Sequence, residues 1–355
     1  MRWIARRYYF GQNVDALISA GAVPLTLDAE QLKFFEREGY LVVPDAFDSV
    51  DLEPAITEIT SVIHERSTQA VARGDLSQTY AHEPFETRLW KIHQEYEDIY
   101  WSLLGRTLEA HGIFPLIANG ALLDLAEAIV GPEIIASAVY VLRPKLPGHW
   151  HGEVPWHQDS GYFEPVCDRG LILTVWVPFV DATIERGCLE VMPRSHTGGV
   201  VRHRQLAPGG GAPEIRVPGR IPSDGYLQIA DEDLPGDQVV PVPVNRGGVV
   251  LLTNRTAHRS TPNHSDIVRW SIDIRYQSTD LPTNYPLPSQ RGDGVGMSNT
   301  TMSAERQALS CYPPEPDFLV RSRSRPASVV DTWEAFDAHR RTHQPLARTV
   351  RWEDA

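Results

Sequence analysis

The run VVLLTNRTAHRSTPNHSDIVRWSIDIRYQ, residues 249–277, decides how the second half of this chain is read. It opens on an apolar stretch, breaks at Asn254, and closes on a segment in which Val268, Trp270, Ile272 and Ile274 alternate with Arg269, Ser271, Asp273 and Arg275. Successive side chains leave a strand on opposite sides, so period-two alternation marks a strand with one packed face. The other face carries arginine into the interior. A buried guanidinium is costly unless it meets an anion, and a small carboxylate ligand can meet it in bidentate fashion.

Working outward, SAVYVLRP, LILTVWVPFVDA, GCLEVMP and YLQIA have the same short, β-branched or aromatic character and are separated by Gly, Pro and Asn turns. Strands in such succession, with no helices between them, predict an all-β sandwich, barrel or jelly roll. The first third is helical instead. Thr26 or Asp28 can cap a helix carrying Leu32 and Phe35, Gly39 supplies its stop, and Tyr40 to Val43 follows as a strand. Leu52, Ile56, Ile59 and Ile63 recur at helical spacing, as do Leu122, Leu125 and Ile129 before Gly131-Pro132. The expected organisation is a helical region over 1–134, a β core over 135–280, and a C-terminal loop with a short helix over 281–355, all in one domain. Two Gly/Pro-rich loops, 203–238 and 281–310, are long enough to be functional and are expected to cover a site.

The 355 residues carry 33 basic and 46 acidic side chains, a net charge of −13 that repels phosphate backbones and argues against nucleic acid as a partner. Three scattered cysteines, Cys167, Cys188 and Cys311, make neither a disulfide framework nor a zinc cluster and suggest a reducing compartment. No apolar run is long enough to span a bilayer. The basic start of the chain faintly imitates a targeting signal, but Gln12, Asn13 and Asp15 interrupt any hydrophobic region, so the cytoplasm is expected.

Candidate chemistry begins in VPWHQDSGYF, residues 154–163. If this stretch is extended, His157 and Asp159 share a face and Gln158 points the other way. Such a His-x-Asp pair is frequent by chance and can be no more than two polar residues at a strand edge. His258, directly after an apolar strand, is the best second imidazole, and Arg269 opens the strand that follows. With His258 the pair would complete a facial triad of two imidazoles and one carboxylate.

In this arrangement the chain resembles the phytanoyl-CoA dioxygenase family of Fe(II)/2-oxoglutarate-dependent oxygenases. The resemblance rests on His157-x-Asp159, His258, and Ser260 with Arg269 in HRSTPNHSDIVR, with support from LTVWVPFVDATIERGCLEVMPRSH and EQLKFFEREGYLVVPDAF. It implies a double-stranded β-helix (jelly roll, cupin-like) core wrapped by N-terminal helices, with His157, Asp159 and His258 as iron ligands. It also implies that Arg269, with Ser260, holds the distal carboxylate of 2-oxoglutarate. The implied reaction is hydroxylation of an unactivated C–H bond in a small-molecule substrate by dioxygen, with 2-oxoglutarate decarboxylated to succinate and CO2. Desaturation, ring closure and epimerisation use the same chemistry. Related halogenases carry a small residue at the carboxylate ligand, so Asp159 favours oxygenation. Arg194 stands where the family more often has a small residue. A cupin-like metal enzyme that needs no oxo acid, or a non-catalytic binding protein on the same fold, would keep the ligands but leave Arg269 without a purpose.

Other residues carry weaker signals. His149, His151 and Glu153 crowd the iron motif but sit among glycines and proline, which favours supporting or surface roles. Arg143 or Lys145 could reach a cofactor or equally end an exposed strand, and Arg275 is the reserve for the cofactor carboxylate. His264 is expected in solvent and His196 in a structural role. Trp150, Trp156, Tyr162, Phe163 and Trp176 could line a pocket or belong to the core.

Overall fold

Asp28 caps the head of helix α1 (Ala29–Glu38). Its carboxylate accepts from the backbone N–H of Glu30 and Gln31, and the Gln31 side chain accepts from the Asp28 N–H in return. A cap of this kind contributes about 1 kcal/mol. Gly39, at φ 81°, ends the helix and turns the chain directly into strand β1 (Tyr40–Val43). A Cβ there would stand 2.3 Å from Nδ1 of His196, so close approach and backbone conformation both require glycine. The computed structural model describes residues 26–103, 111–137, 139–205, 227–283, 308–309, 317–341 and 350–352. Most of both expected covering loops, the N-terminal stretch 1–25 and Cys311 lie outside the described residues.

Helices α2 (Glu53–Arg73), α3 (Phe85–His93), α4 (Asp98–Leu103), α5 (Phe114–Ile117) and α6 (Gly120–Val130) follow. Their apolar stripes are core: Leu52, Ile59, Ile63, Leu122 and Leu125 are buried, and Ile56 and Ile129 pack against them. That core is shared with Leu173, Val175, Trp270, Ile272, Ile274 and Tyr276, so the helices cover one face of a sheet. No helix among the described residues is long and apolar enough to cross a membrane.

The strands are β2 (Ile134–Ala136), β3 (Val141–Lys145), β4 (Ile172–Pro178), β5 (Leu189–Val191), β6 (Arg204–Gln205), β7 (Leu227–Gln228), β8 (Val240–Val242), β9 (Val249–Thr253), β10 (His258–Ser260), β11 (Arg269–Ser278), β12 (Ala308–Leu309), β13 (Phe318–Arg321) and, after helix α7 (Trp333–Arg340), β14 (Val350–Trp352). A seven-stranded antiparallel sheet runs β1-β9-β4-β11-β2-β13, with β3 also paired to β11. The second sheet is β10-β5-β8, and two ribbons, β6–β7 and β12–β14, stand apart. These two sheets form the jelly-roll core of a double-stranded β-helix, and the helices wrap its larger sheet.

The alternation in β11 is built as the sequence predicts. Trp270, Ile272, Ile274 and Tyr276 enter the core against the helices, while Arg269, Ser271, Asp273 and Arg275 point to the opposite face. Both faces are buried, so the polar side lies inside the β-helix rather than in water. Strand β13 was not expected: residues beyond 281 read as loop and short helix, yet Phe318–Arg321 adds an edge to β2. Four residues behind a proline-rich run carry too little alternation to announce a strand; pairing with Ile134–Ala136 makes it one. The large sheet thus draws β1 and β13 from outside the 135–280 region.

Candidate metal centre

His157 and His258 meet as an isolated antiparallel bridge. The His157 N–H donates to the His258 carbonyl at 3.0 Å and the His258 N–H returns the bond at 2.9 Å, which places both imidazoles on one side with centroids 4.2 Å apart. Each ring's Nδ1 lies on a backbone carbonyl two residues earlier, Pro155 at 2.8 Å for His157 and Thr256 at 2.9 Å for His258. A carbonyl can only accept, so both Nδ1 atoms carry the proton and both Nε2 atoms present a lone pair. Burial and the adjacent His258 push the His157 pKa well below its ordinary value, keeping the ring neutral.

Asp159 completes the group. The expected strand does not continue through it: Gln158 is extended, but Asp159 opens a short 3-10 turn to Tyr162. That turn is what aims the carboxylate back, with Oδ1 3.8 Å from His157 Nε2. Ligand atoms of His157, Asp159 and His258 all lie within 4.8 Å of one another, the one such cluster of three among the described residues. All three are buried. The two lone-pair nitrogens, the anionic oxygen and the span fit a divalent transition metal such as Fe(II).

The surroundings hold this turn from behind. Gln158 points away from the triad, as expected of an extended residue, and its side chain bonds Gly199 and Arg255 carbonyls and the Val201 N–H. Its own N–H donates to Nε2 of His203. Asn254 bonds Ser160 Oγ, the Gly170 carbonyl and the Ile172 N–H, tying the turn to β4. Asp159 itself accepts from Thr174 and twice from Arg275. Burial alone would raise its pKa, but the Arg275 charge overrides this and holds the carboxyl well below the usual carboxylate range. Arg275, the sequence's reserve for a cofactor carboxylate, is thus engaged by the protein's own Asp159. Thr174 and Gln158 went unnoticed as support; the available signal was a lone hydroxyl in the otherwise apolar ILTVWVP strand.

A second polar cluster lies at the other end of β11. Arg269 and Lys145 are direct cross-strand partners, and both are 1% exposed. Lys145 Nζ donates to Ser260 Oγ at 2.8 Å and to the Thr261 carbonyl, while Ser260 donates to the Gly152 carbonyl. Arg269 donates to Ser271 Oγ at 2.6 Å with its guanidinium over the Trp176 ring. Gly152 permits this packing, because a Cβ there would stand 2.7 Å from Lys145 Cγ. Burial first, then the Arg269 charge, push Lys145 down to about 6.

The remaining candidates fall into place around these two ends. Arg143 pairs with Asp273 at 2.8 Å. His149 and His151 join His93, Tyr100 and Trp101 in a cluster of rings beyond the triad, where burial pushes both down to about 4. His196 holds the Glu36 carbonyl of α1, and His264 is exposed. Arg194 adopts φ 65°, a conformation that favours a small residue. Among the aromatics, the Trp176, Phe163 and Trp156 rings lie 5.1, 5.5 and 4.8 Å from the guanidinium carbons of Arg269, Arg275 and Arg259, and Trp150 is 38% exposed.

A jelly roll that gathers two imidazoles and a carboxylate inside its β-helix presents the donor set of a cupin-like metal site. The family model described as phytanoyl-CoA dioxygenase (PhyH) matches residues 35–271, about two thirds of the chain, and the protein belongs to that family. The mouse protein named phytanoyl-CoA dioxygenase domain-containing protein 1 is 31% identical over 176 residues, covering 48% of this chain and 55% of that one. Its rat counterpart is 28% identical over 267 residues, 68% of this chain and 86% of the relative. The chain spans about half the length of several curated relatives it matches, 55% for the mouse protein and 41% for the bovine one. Among solved structures, the non-heme monooxygenase ThoJ is 19% identical with a TM-score of 0.49, covering 88% of this chain and 96% of that one.

Proposed function

We propose that this protein is an Fe(II)/2-oxoglutarate-dependent oxygenase that hydroxylates a C–H bond of a small molecule. In this reading His157 Nε2, His258 Nε2 and one Asp159 oxygen hold the metal. Arg269, Lys145 and Ser260 receive the distal carboxylate of the oxo acid. Bound at this site, Fe(II) with 2-oxoglutarate supplies activation of dioxygen, coupling decarboxylation to succinate and CO2 with oxidation of the substrate. The chain's own contributions are to keep both imidazoles in the Nδ1–H tautomer, to keep Asp159 ionised, and to shield the site within a buried β-helix.

The observation that carries the oxo-acid half is the Arg269–Lys145 pair. Lys145 and Arg269 stand directly opposite on neighbouring strands with both side chains buried, and the lowered pKa of Lys145 leaves it able to take up a proton beside an arriving carboxylate, which supports a bound oxo acid. The cytoplasmic location expected from the sequence belongs to the same reading, and imaging a tagged chain beside cytosolic and peroxisomal markers checks it.

The test is an anaerobic titration of apoprotein with Fe(II) and then 2-oxoglutarate, following the visible charge-transfer band of a chelated oxo acid. A band in the wild type and none in His157→Ala is the expected result. Tight, stoichiometric metal binding without any band would overturn the oxo-acid assignment and leave a metal-binding jelly roll of another activity. Succinate formed in step with a hydroxylated product then separates hydroxylation from desaturation or epimerisation.

A further inference from the structure

We infer that Arg275 is a positioning residue that denies the metal a chelating carboxylate and leaves it a single oxygen of Asp159. The inference rests on the triad holding a metal, and it concerns how much of the metal's surface remains for other ligands.

A carboxylate offers about four acceptor sites, two on each oxygen. Arg275 Nε donates to Asp159 Oδ2 at 3.1 Å and its NH2 to Oδ1 at 2.9 Å. A guanidinium that engages both oxygens in this forked way occupies the edge between them, which is where a chelated metal would sit. Thr174 Oγ1 donates to Oδ2 at 2.5 Å and covers the other side of that oxygen. Three acceptor sites are therefore filled, and the fourth is on Oδ1, the oxygen that stands 3.8 Å from His157 Nε2.

The fold prevents Arg275 from yielding this edge. Its NH1 donates to the Val139 carbonyl at 2.9 Å, its NH2 lies 3.7 Å from Asp273 Oδ2, and the Phe163 ring lies 5.5 Å beneath the guanidinium. Thr174 is set by register, because it is the direct cross-strand partner of Arg275 on β4. Asp273 is itself held by Arg143 from β3. Elements β3, β4 and β11 together thus fix one guanidinium against one carboxylate. The consequence is chemical: a chelating Asp159 would use four metal positions instead of three, and an oxo acid with dioxygen needs the remaining three.

Mn(II) bound to the full-length apoprotein tests this directly, with no turnover required. Water-proton relaxation counts the exchangeable waters on the ion, about three when three protein atoms occupy an octahedral site. In Arg275→Gln and Arg275→Lys, neither of which can fork across both oxygens, the count is expected to fall to about two as Asp159 chelates. Arg275→Lys keeps the charge and guards against a variant that simply unfolds. A wild-type count in Arg275→Lys overturns the inference. Wild-type Mn(II) binding no tighter than that of His157→Ala would instead remove the metal site itself and this inference with it.

Discussion

Removing Asp159 from the apoprotein should destabilise the fold, and the reason is Arg275 rather than any metal. In Asp159→Ala the guanidinium, 4% exposed, loses both of its forked bonds and keeps the Val139 carbonyl, the flank of Asp273 at 3.7 Å and the Phe163 ring. Breaking a buried ion pair by deleting one partner costs about 3–5 kcal/mol, and the remaining Asp273 places this site near 3. For a chain of this length that corresponds to roughly 6 °C in Tm at about 2 °C per kcal/mol. Urea unfolding of metal-free protein in chelator measures it, with Asp159→Ala, Arg275→Met and the double variant compared. The double variant removes the stranded charge and should recover at least about 2 kcal/mol relative to Asp159→Ala alone. A metal-binding carboxylate held by no cation gives the opposite sign, because its removal relieves a buried charge. An Asp159→Ala midpoint equal to or above wild type would refute the account of this site.

Three further outcomes follow from the same geometry. Lys145 has a pKa of about 6 in the fold against 10.5 for the free side chain, so between these values the unfolded chain binds more protons and stability rises with pH. Lys145→Met should flatten that rise, and in the wild type at pH 8 oxo-acid binding should take up a proton, measurable by calorimetry in buffers of different ionisation heat. Equal uptake in Lys145→Met would clear Lys145 of the role. Arg269→Ala should weaken 2-oxoglutarate by about 10- to 100-fold, the loss of a charge-assisted bond of about 1.5–3 kcal/mol, while Mn(II) affinity holds; unchanged oxo-acid affinity would contradict the assignment. Gly161→Ala drives a Cβ to 2.6 Å from the His203 ring and should cost about 1–3 kcal/mol in thermal unfolding, since it displaces the turn behind Asp159. An unaltered midpoint would mean that the turn moves freely.

The alternation of β11, the capped helix α1 and the helical stripes were legible because each is a local periodicity that burial merely completes. The order of His157, Asp159 and His258 was legible for the same reason that a family resemblance is: type and spacing survive in one dimension. Lys145 was not. In sequence it is a charge at the end of a short strand, equally suited to solvent, and only its pairing opposite Arg269 shows that it is buried. Thr174 escaped similarly and Arg275 was read only as a reserve for the cofactor carboxylate, because their meeting with Asp159 depends on the register of β4 against β11 and on a turn that interrupts the expected strand. Contacts set by register across 116 residues leave no trace in spacing.

That register also explains why one face of one strand carries two arginines with different tasks. Arg269 and Arg275 are six residues apart, about 20 Å along an extended strand at 3.3 Å per residue, well beyond the length of a five-carbon oxo acid. Both point inward, so alternation alone cannot assign them; what differs is the neighbour each meets. At one end β11 pairs with β3 and sets Arg269 beside Lys145, where the proposed function places the carboxylate of the oxo acid. At the other it pairs with β4 and sets Arg275 beside Thr174, where the anion is the chain's own Asp159. In the proposed reading, the metal's coordination and the binding of the oxo acid are therefore set from opposite ends of a single strand. Variants of Arg275 should alter the metal's coordination, and variants of Arg269 should alter oxo-acid binding. A variant at either end that moved both equally would mean that the two ends are coupled through Ser271 and Asp273 between them.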